Sequence, residues 1–229
     1  TEIPYGVYTN TICGELEAIL IGDDNPGIDR FNDLTGSTPL IKIYLAKNAK
    51  RHLPSPCILV SNHTSLMDFV LYLVIFPFRT IRFLMAEVLY NKGAAFSFVL
   101  NSLGGIRVNR DDHDFGFISE SIEILDNKGI LGVFPEARLP IGGKPFPFTT
   151  STAFIASHSD APIIPVFTDG TYKLTKRTHV YIGAPLYLSD FKKEGLDEAA
   201  QLEHLTKVLE DKVRSLKEEY LKEQKENEK

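Results

Sequence analysis

From residue 56 onward, short apolar runs alternate with longer stretches that repeat their apolar positions at helical spacing. Residues 57–60, 80–85, 106–108, 130–134 and 163–167 are compact blocks rich in Ile, Val, Leu and Phe, the pattern of buried strands. Between them, helical periodicity predicts helices from about Ser65 and over 94–103, 115–127 and 150–158. The helix over 94–103 stops at Gly104-Gly105, and that over 115–127 stops at Lys128-Gly129. Residues 178–182 add a late strand. Strands separated by helices predict an α/β fold: a largely parallel central sheet flanked by helices, in a single domain. A C-terminal amphipathic helix follows, with its stripe at Leu202, Leu205, Leu209, Val213, Leu216 and Tyr220.

The chain divides into an N-terminal region (1–55), a core (56–190) and the C-terminal helix (191–229). In the first part, apolar residues at 40, 41, 44 and 45 and basic residues towards 52 predict a helix over 38–52. Its basic end suits a helix C-terminus, and equally a helix lying on an anionic membrane surface. The most apolar stretch, 69–78, is too short to span a bilayer.

Composition narrows the classes. The 229 residues are 43% hydrophobic and 24% charged, which excludes a disordered chain. A net charge of −5, from 25 basic and 30 acidic side chains, argues against a nucleic-acid binder while leaving room for a local anion pocket. The two cysteines, Cys13 and Cys57, form no CxxC pair, so neither a disulfide framework nor a cysteine metal site is expected, and a reducing cytoplasm fits.

Reactive residue types gather after strand ends, where ligands collect in open α/β sheets. Asn62-His63 follows the first core strand, and Asp68 comes five residues after His63. An imidazole is a natural base for a hydroxyl, and a carboxylate on its other nitrogen fixes the tautomer. The same residues also read as a helix start with Thr64 or Ser65 as N-cap and a solvated histidine. Three further groups stand in order: Gly104-Gly105 with Arg107 and Arg110; Phe134-Pro135-Glu136-Ala137-Arg138; and Pro162-Ile163-Ile164-Pro165-Val166. The arginines suit a phosphate, but equally decorate a strand. Glu136 and Arg138 suit a turn ion pair, and Pro162 and Pro165 suit the ends of an edge strand.

Taken together, the four groups resemble the glycerolipid acyltransferase family, which includes the 1-acylglycerol-3-phosphate acyltransferases. That family carries Asn-His-x4-Asp, a Gly-rich stretch ending in Arg, a Phe-Pro-Glu-Gly-type turn and a Pro-Ile-x-Pro-Val strand. The resemblance covers roughly residues 56–185, including a late Gly183-x-Pro185. Two departures stand out: Ala137 occupies the usual glycine position with Arg138 one place early, and Phe148-Thr149-Thr150-Ser151 lacks the family's Lys and Gly.

The resemblance implies transfer of a fatty acyl group from acyl-CoA or acyl-carrier protein to a lysophosphatidic-acid-type acceptor, giving phosphatidic acid. It makes His63 the base and Asp68 its orienting partner. Arg107, Arg110, Glu136 and Arg138 become substrate contacts, and Asn62, Gly104, Gly105, Pro135, Pro162 and Pro165 positioning residues. Backbone N–H groups near the helix start would stabilise the oxyanion. No metal or bound cofactor is implied. Peripheral attachment to the inner face of a membrane is expected, through residues 38–52 and 76–78. Glycerol 3-phosphate or another lysophospholipid as acceptor, a covalent route through Ser65 or Cys57, and an inactive lipid-binding homologue are the competing readings.

Overall fold

The computed structural model describes residues 21–22, 41–91, 93–108, 116–172 and 176–227. Within them lie eight strands: β1 (Ile21–Gly22), β2 (Ile41–Leu45), β3 (Cys57–Ser61), β4 (Ile81–Ala86), β5 (Ile106–Val108), β6 (Ile130–Val133), β7 (Ile163–Thr168) and β8 (Thr178–Ile182). The helices are α1 (Asp68–Ile75), α2 (Glu87–Tyr90), α3 (Ala94–Ser102), α4 (Gly116–Asp126), α5 (Thr150–Ser157) and α6 (Glu198–Asn227), with a 3-10 turn at Leu188–Phe191. The strands form one sheet in the order β1-β2-β8-β7-β3-β6-β4-β5. Every pairing is parallel except β7 with β8.

This is the α/β architecture that the alternating pattern predicts. Its centre is β7-β3-β6, where every residue of each strand is buried, as befits strands covered on both faces. Side chains of alternate parity feed two cores. Cys57 and Leu59 join Leu71, Tyr72 and Ile75 of α1 on one face. Ile58 and Val60 join α4, α5 and the Leu205, Leu209 and Val213 stripe of α6 on the other.

Residues 41–52 do not form the helix expected over 38–52. Residues 41–45 form β2, which pairs with β8 along its whole length and with β1 on its other side. The deciding signal is a period of two: Ile41 and Ile43 are buried, while Lys42 and Tyr44 are less so. Tyr44 stacks on Tyr181 of β8 at 4.2 Å between ring centroids. The sheet therefore begins before residue 56. A membrane-surface helix over this stretch is excluded for 41–45.

Pro165 likewise falls in an interior strand, since β7 lies between β3 and β8. The Pro165 carbonyl accepts from the Gly183 amide at 2.8 Å. A Cβ at Gly183 would lie 2.7 Å from the Pro165 ring. The proline and the late glycine are two sides of one close contact. The Pro162 carbonyl accepts from the Ile58 amide at 2.9 Å, joining the entrance of β7 to β3.

Candidate active site

Three neighbouring parallel strands, β7, β3 and β6, end on the same side of the sheet and deliver the site from their C-terminal ends. Asn62, just past β3, locks onto β7: its Nδ2 donates to the Thr168 carbonyl at 2.9 Å, and its Oδ1 accepts from the Thr168 amide at 2.9 Å. This two-point clamp fixes the backbone immediately before His63.

His63 Nδ1 lies 2.7 Å from Asp68 Oδ2. Asp68 is the first residue of α1 and fully buried. Its burial follows from helical spacing, because Asp68, Leu71, Tyr72 and Ile75 share the inward face of α1. Helix α1 starts three residues later than Ser65, with Met67 as N-cap and no side-chain capping bond. Instead, the amides of Thr64 and Ser65 donate to Asp68 Oδ2 at 2.6 and 2.9 Å. The Thr64 hydroxyl donates to Oδ1 at 2.8 Å, and the Tyr172 hydroxyl donates to the same oxygen. Burial alone would raise the Asp68 carboxyl, but the bonds from His63, Ser65, Tyr172 and Thr64 outweigh it and hold it below the usual carboxylate range. An ionised Asp68 only accepts, so His63 Nδ1 carries the proton and Nε2 is left as the basic nitrogen.

The His63 ring also stacks on Phe134, at 4.5 Å between centroids and 15° between planes. Its amide donates to Glu136 Oε1 at 3.1 Å. Glu136 is 4% exposed, and its Oε2 is buried without a well-formed hydrogen bond. Burial raises its carboxyl above the ordinary value, only partly offset by the His63 amide, the His63 charge and the Phe146 amide. The amides of residues 63–65 are thus all committed to carboxylates, and the oxyanion role expected for the amides here is not open to these three.

His63, Thr64 and Glu136 open on a cleft of about 560 Å³. Phe146 and Phe148 line one side, Asp169 and Thr171 lie beyond β7, and Val213, Arg214, Lys217 and Tyr220 of α6 close the far wall. A volume of this order suits part of a lipid-sized ligand.

The acyltransferase family model matches residues 41–169, the stretch that carries β2 through the end of β7. The chain belongs to the acyltransferase family. Among solved structures, it is similar to the 1-acyl-sn-glycerophosphate (LPA) acyltransferase PlsC from Thermotoga maritima, at 26% identity and a TM-score of 0.58. That similarity covers 78% of this chain and 72% of that one.

Against this acyltransferase frame, the predicted site residues separate. His63, Asp68, Asn62 and Glu136 come together. Pro135 stays close, its carbonyl accepting from the Thr149 amide at 2.8 Å. Gly104 and Gly105 sit where α3 turns into β5. Gly104 has φ +79°, and a Cβ on Gly105 would overlap the Tyr90 hydroxyl. Arg107 is outside the cleft. It lies on β5, three strands from β3, or about 14 Å by strand spacing. There it sits 3.6 Å from Glu87 and 4.7 Å over the Tyr90 ring. Arg110 lies outside the described residues. Arg138 is exposed, 6.0 Å over the Phe146 ring that lines the cleft.

Of the two covalent candidates, Cys57 is poorly placed. Cys57 begins β3 at the opposite end from His63, and burial pushes its thiol up to about 12, only slightly opposed by Arg79. The Ser65 hydroxyl oxygen accepts from the Met67 amide at 3.2 Å.

The departure at Ala137 has a backbone consequence. Ala137 adopts φ +54°, closing a turn through its amide to the Phe134 carbonyl at 2.9 Å. An L-residue in this left-handed region costs about 1 kcal/mol relative to glycine. Ala137→Gly is therefore expected to stabilise the protein, raising the melting temperature by about 2–4 °C in a thermal scan. A lower melting temperature for Ala137→Gly would count against strain at this turn.

Sequence reasoning missed the Tyr172 and Thr64 hydroxyls on Asp68, the Phe134 stack under His63 and the cleft wall supplied by α6. The Thr171-Tyr172 pair sits past a strand end beside Asp169, a polar signal that the four blocks do not include.

Proposed function

We propose that this acyltransferase is an O-acyltransferase of the 1-acylglycerol-3-phosphate type, moving a fatty acyl group from a thioester to the free hydroxyl of a lysophosphatidic-acid-type acceptor. The observation that carries this reading is the His63–Asp68 contact at 2.7 Å, with the other imidazole nitrogen left for the cleft. The Thermotoga maritima protein, named for that activity, supports the acceptor class.

In the proposed reaction, His63 Nε2 takes the acceptor hydroxyl proton as its oxygen attacks the thioester carbonyl carbon. Asp68 stabilises the imidazolium that forms. The tetrahedral intermediate collapses with rupture of the C–S bond, and His63 returns its proton to the leaving thiolate. Phe134 beneath the ring and the Asn62 clamp keep the imidazole aimed. Glu136, held to the loop by the His63 amide on its Oε1 and with a buried Oε2 that has no well-formed bond, helps position the glycerol backbone. Among the described residues lining the cleft, Lys217 and Arg214 are the cations for the acceptor phosphate, Arg214 being also paired with Glu210 at 2.6 Å. Arg110 remains a further candidate from the family pattern. The donor is a CoA or carrier-protein thioester, and the chemistry assigned here uses only side chains of this chain and the two substrates.

The acceptor lives in a bilayer, and the proposed membrane contact is peripheral. No helix among the described residues is long and apolar enough to cross a membrane. Of the stretch 76–78, Phe76 is core, and Phe78, 81% exposed, follows α1 ahead of β4. On the His63 side, Leu66 and Met67 follow β3 and Val88 follows β4, all exposed, with Phe98 exposed on the α3 helix that packs beside α2. Replacing both Met67 and Val88 by Glu is expected to release the protein from anionic vesicles in co-sedimentation at low salt. Unchanged sedimentation would move the contact elsewhere.

The reaction is tested by following thiol release from a fatty acyl-CoA with lysophosphatidic acid, glycerol 3-phosphate or a neutral-headgroup lysophospholipid, and identifying products by mass spectrometry. Acceptor-dependent thiol release with phosphatidic acid as product is the expected result. Lipid binding without thiol release, for every acceptor and with a carrier-protein thioester as well, would overturn the reading.

A further inference from the structure

We propose that Tyr172 is a positioning residue of the His63–Asp68 pair, holding the Asp68 carboxylate in the orientation that aims His63 Nε2 at the cleft. The inference rests on the catalytic reading of His63 given above. It concerns a residue beyond the four sequence blocks and just past the end of the family match at residue 169.

Asp68 is inaccessible to solvent, so its charge is balanced only by protein donors. They are unevenly divided. Oδ2 receives His63 Nδ1 and the amides of Thr64 and Ser65, three donors fixed by the local chain. Oδ1 receives two hydroxyls, from Thr64 and Tyr172. Thr64 belongs to the same loop as His63 and moves with it. Tyr172 is the donor that reaches Asp68 from beyond a different strand, tying the pair to the end of β7.

The approach of that segment is built into the backbone. Gly170 has φ +67°, and a Cβ there would overlap the Thr64 hydroxyl. Only a residue without a side chain lets the chain leave β7 against the catalytic loop. Asp169 Oδ1 accepts from the Thr171 and His179 amides at 3.0 and 3.1 Å, fixing the turn that presents Tyr172. The Tyr172 ring then packs against the core cluster that holds Tyr72, Phe83 and Leu71. Burial, and after it the charge of Asp68, push the phenol well above its ordinary range, so it stays a donor at every working pH.

Removing this donor has a directional electrostatic consequence. Asp68 then presents more of its charge to His63 and stabilises the imidazolium, so the acid limb of the rate profile moves to higher pH. The other titratable groups near the pair are Glu136 from the turn after β6 and Tyr72 from α1. Asp169 beyond β7, and Glu210, Arg214, Lys217 and Glu218 of α6, line the same cleft. All of them are unchanged by a substitution at 172.

The test is Tyr172→Phe in the full chain, assayed with palmitoyl-CoA and lysophosphatidic acid in mixed micelles, alongside NMR titration of the His63 ring in substrate-free protein. The expected result is a kcat about tenfold lower with KM within about twofold. The acid limb and the His63 titration should both move up by roughly half a pH unit or more. Tyr172→3-fluorotyrosine, which keeps the packing and strengthens the donor, should move both the opposite way, and it decides the matter where the phenylalanine variant does not fold. An unmoved His63 titration in the folded variants overturns the proposal, even where kcat falls, because a merely structural role predicts that outcome. The titration needs no turnover. A wild-type protein with no acyl transfer but a His63 titration that responds to position 172 refutes the functional reading and leaves the positioning role intact.

Discussion

His63→Ala is expected to abolish acyl transfer while leaving the fold in place. Rate loss of about 10²–10⁴-fold is expected for removal of a positioned general base. The fold survives because the ring contributes one stack on Phe134 and one bond to Asp68, whereas the backbone contacts of residue 63 remain. Asp68 keeps its bonds from Thr64, Ser65 and Tyr172. Circular dichroism and a thermal melt close to wild type, paired with loss of thiol release, are the measurements. A folded His63→Ala protein that retains most of its activity removes His63 from the chemistry.

Asp68→Asn is the second large effect, and it acts on rate and stability together. The amide no longer fixes the Nδ1–H tautomer, and a fall in kcat of roughly a thousandfold or more is expected, as for the orienting carboxylate of other acid–base relays. Stability falls as well, by about 2 kcal/mol at neutral pH, because the –NH2 group faces donors where an oxygen was an acceptor. The sign of the pH dependence follows from the depressed carboxyl of Asp68 in the fold. Its stabilising contribution is fully present above the unfolded value of about 3.9 and is lost as pH falls through the lower folded value. The gap between wild type and Asp68→Asn in urea unfolding is therefore widest near neutrality and narrows in acid. A gap independent of pH down to that range would mean that the charge of Asp68 is not what the network stabilises.

Much of this is legible in the chain. The central strands stand out because burial on both faces leaves no polar positions, as in 57–60 and 163–167. Asp68 is legible twice, once by its distance from His63 and once by sharing a helical face with Leu71, Tyr72 and Ile75. Residues 41–45 mislead because two apolar pairs at 40, 41, 44 and 45 mimic a helical stripe, while the sheet responds to Ile41 and Ile43. Short apolar runs carry both periods, and only the neighbouring strands β1 and β8 decide between them. The arginines are ambiguous for a similar reason. A Gly-Gly-x-Arg run fixes where Arg107 sits on its strand, but not that Glu87 and Tyr90 will be there to hold it. Tyr172 carries only the polar signal of its place past a strand end, and nothing local tells that its hydroxyl acts on Asp68 across 104 residues of sequence.

Helix α6 has a consequence for how this protein can change. Its Leu205, Leu209 and Val213 are bound to the sheet, yet Arg214, Lys217 and Leu221 on the same helix face the cleft. The strands that carry the reacting groups lie inside the family match, and the helix that walls the cleft lies beyond it. Exchanges at 214, 217 and 221 leave the dyad and both cores untouched. Substitutions there would reshape the wall that a ligand meets without displacing His63 or Asp68.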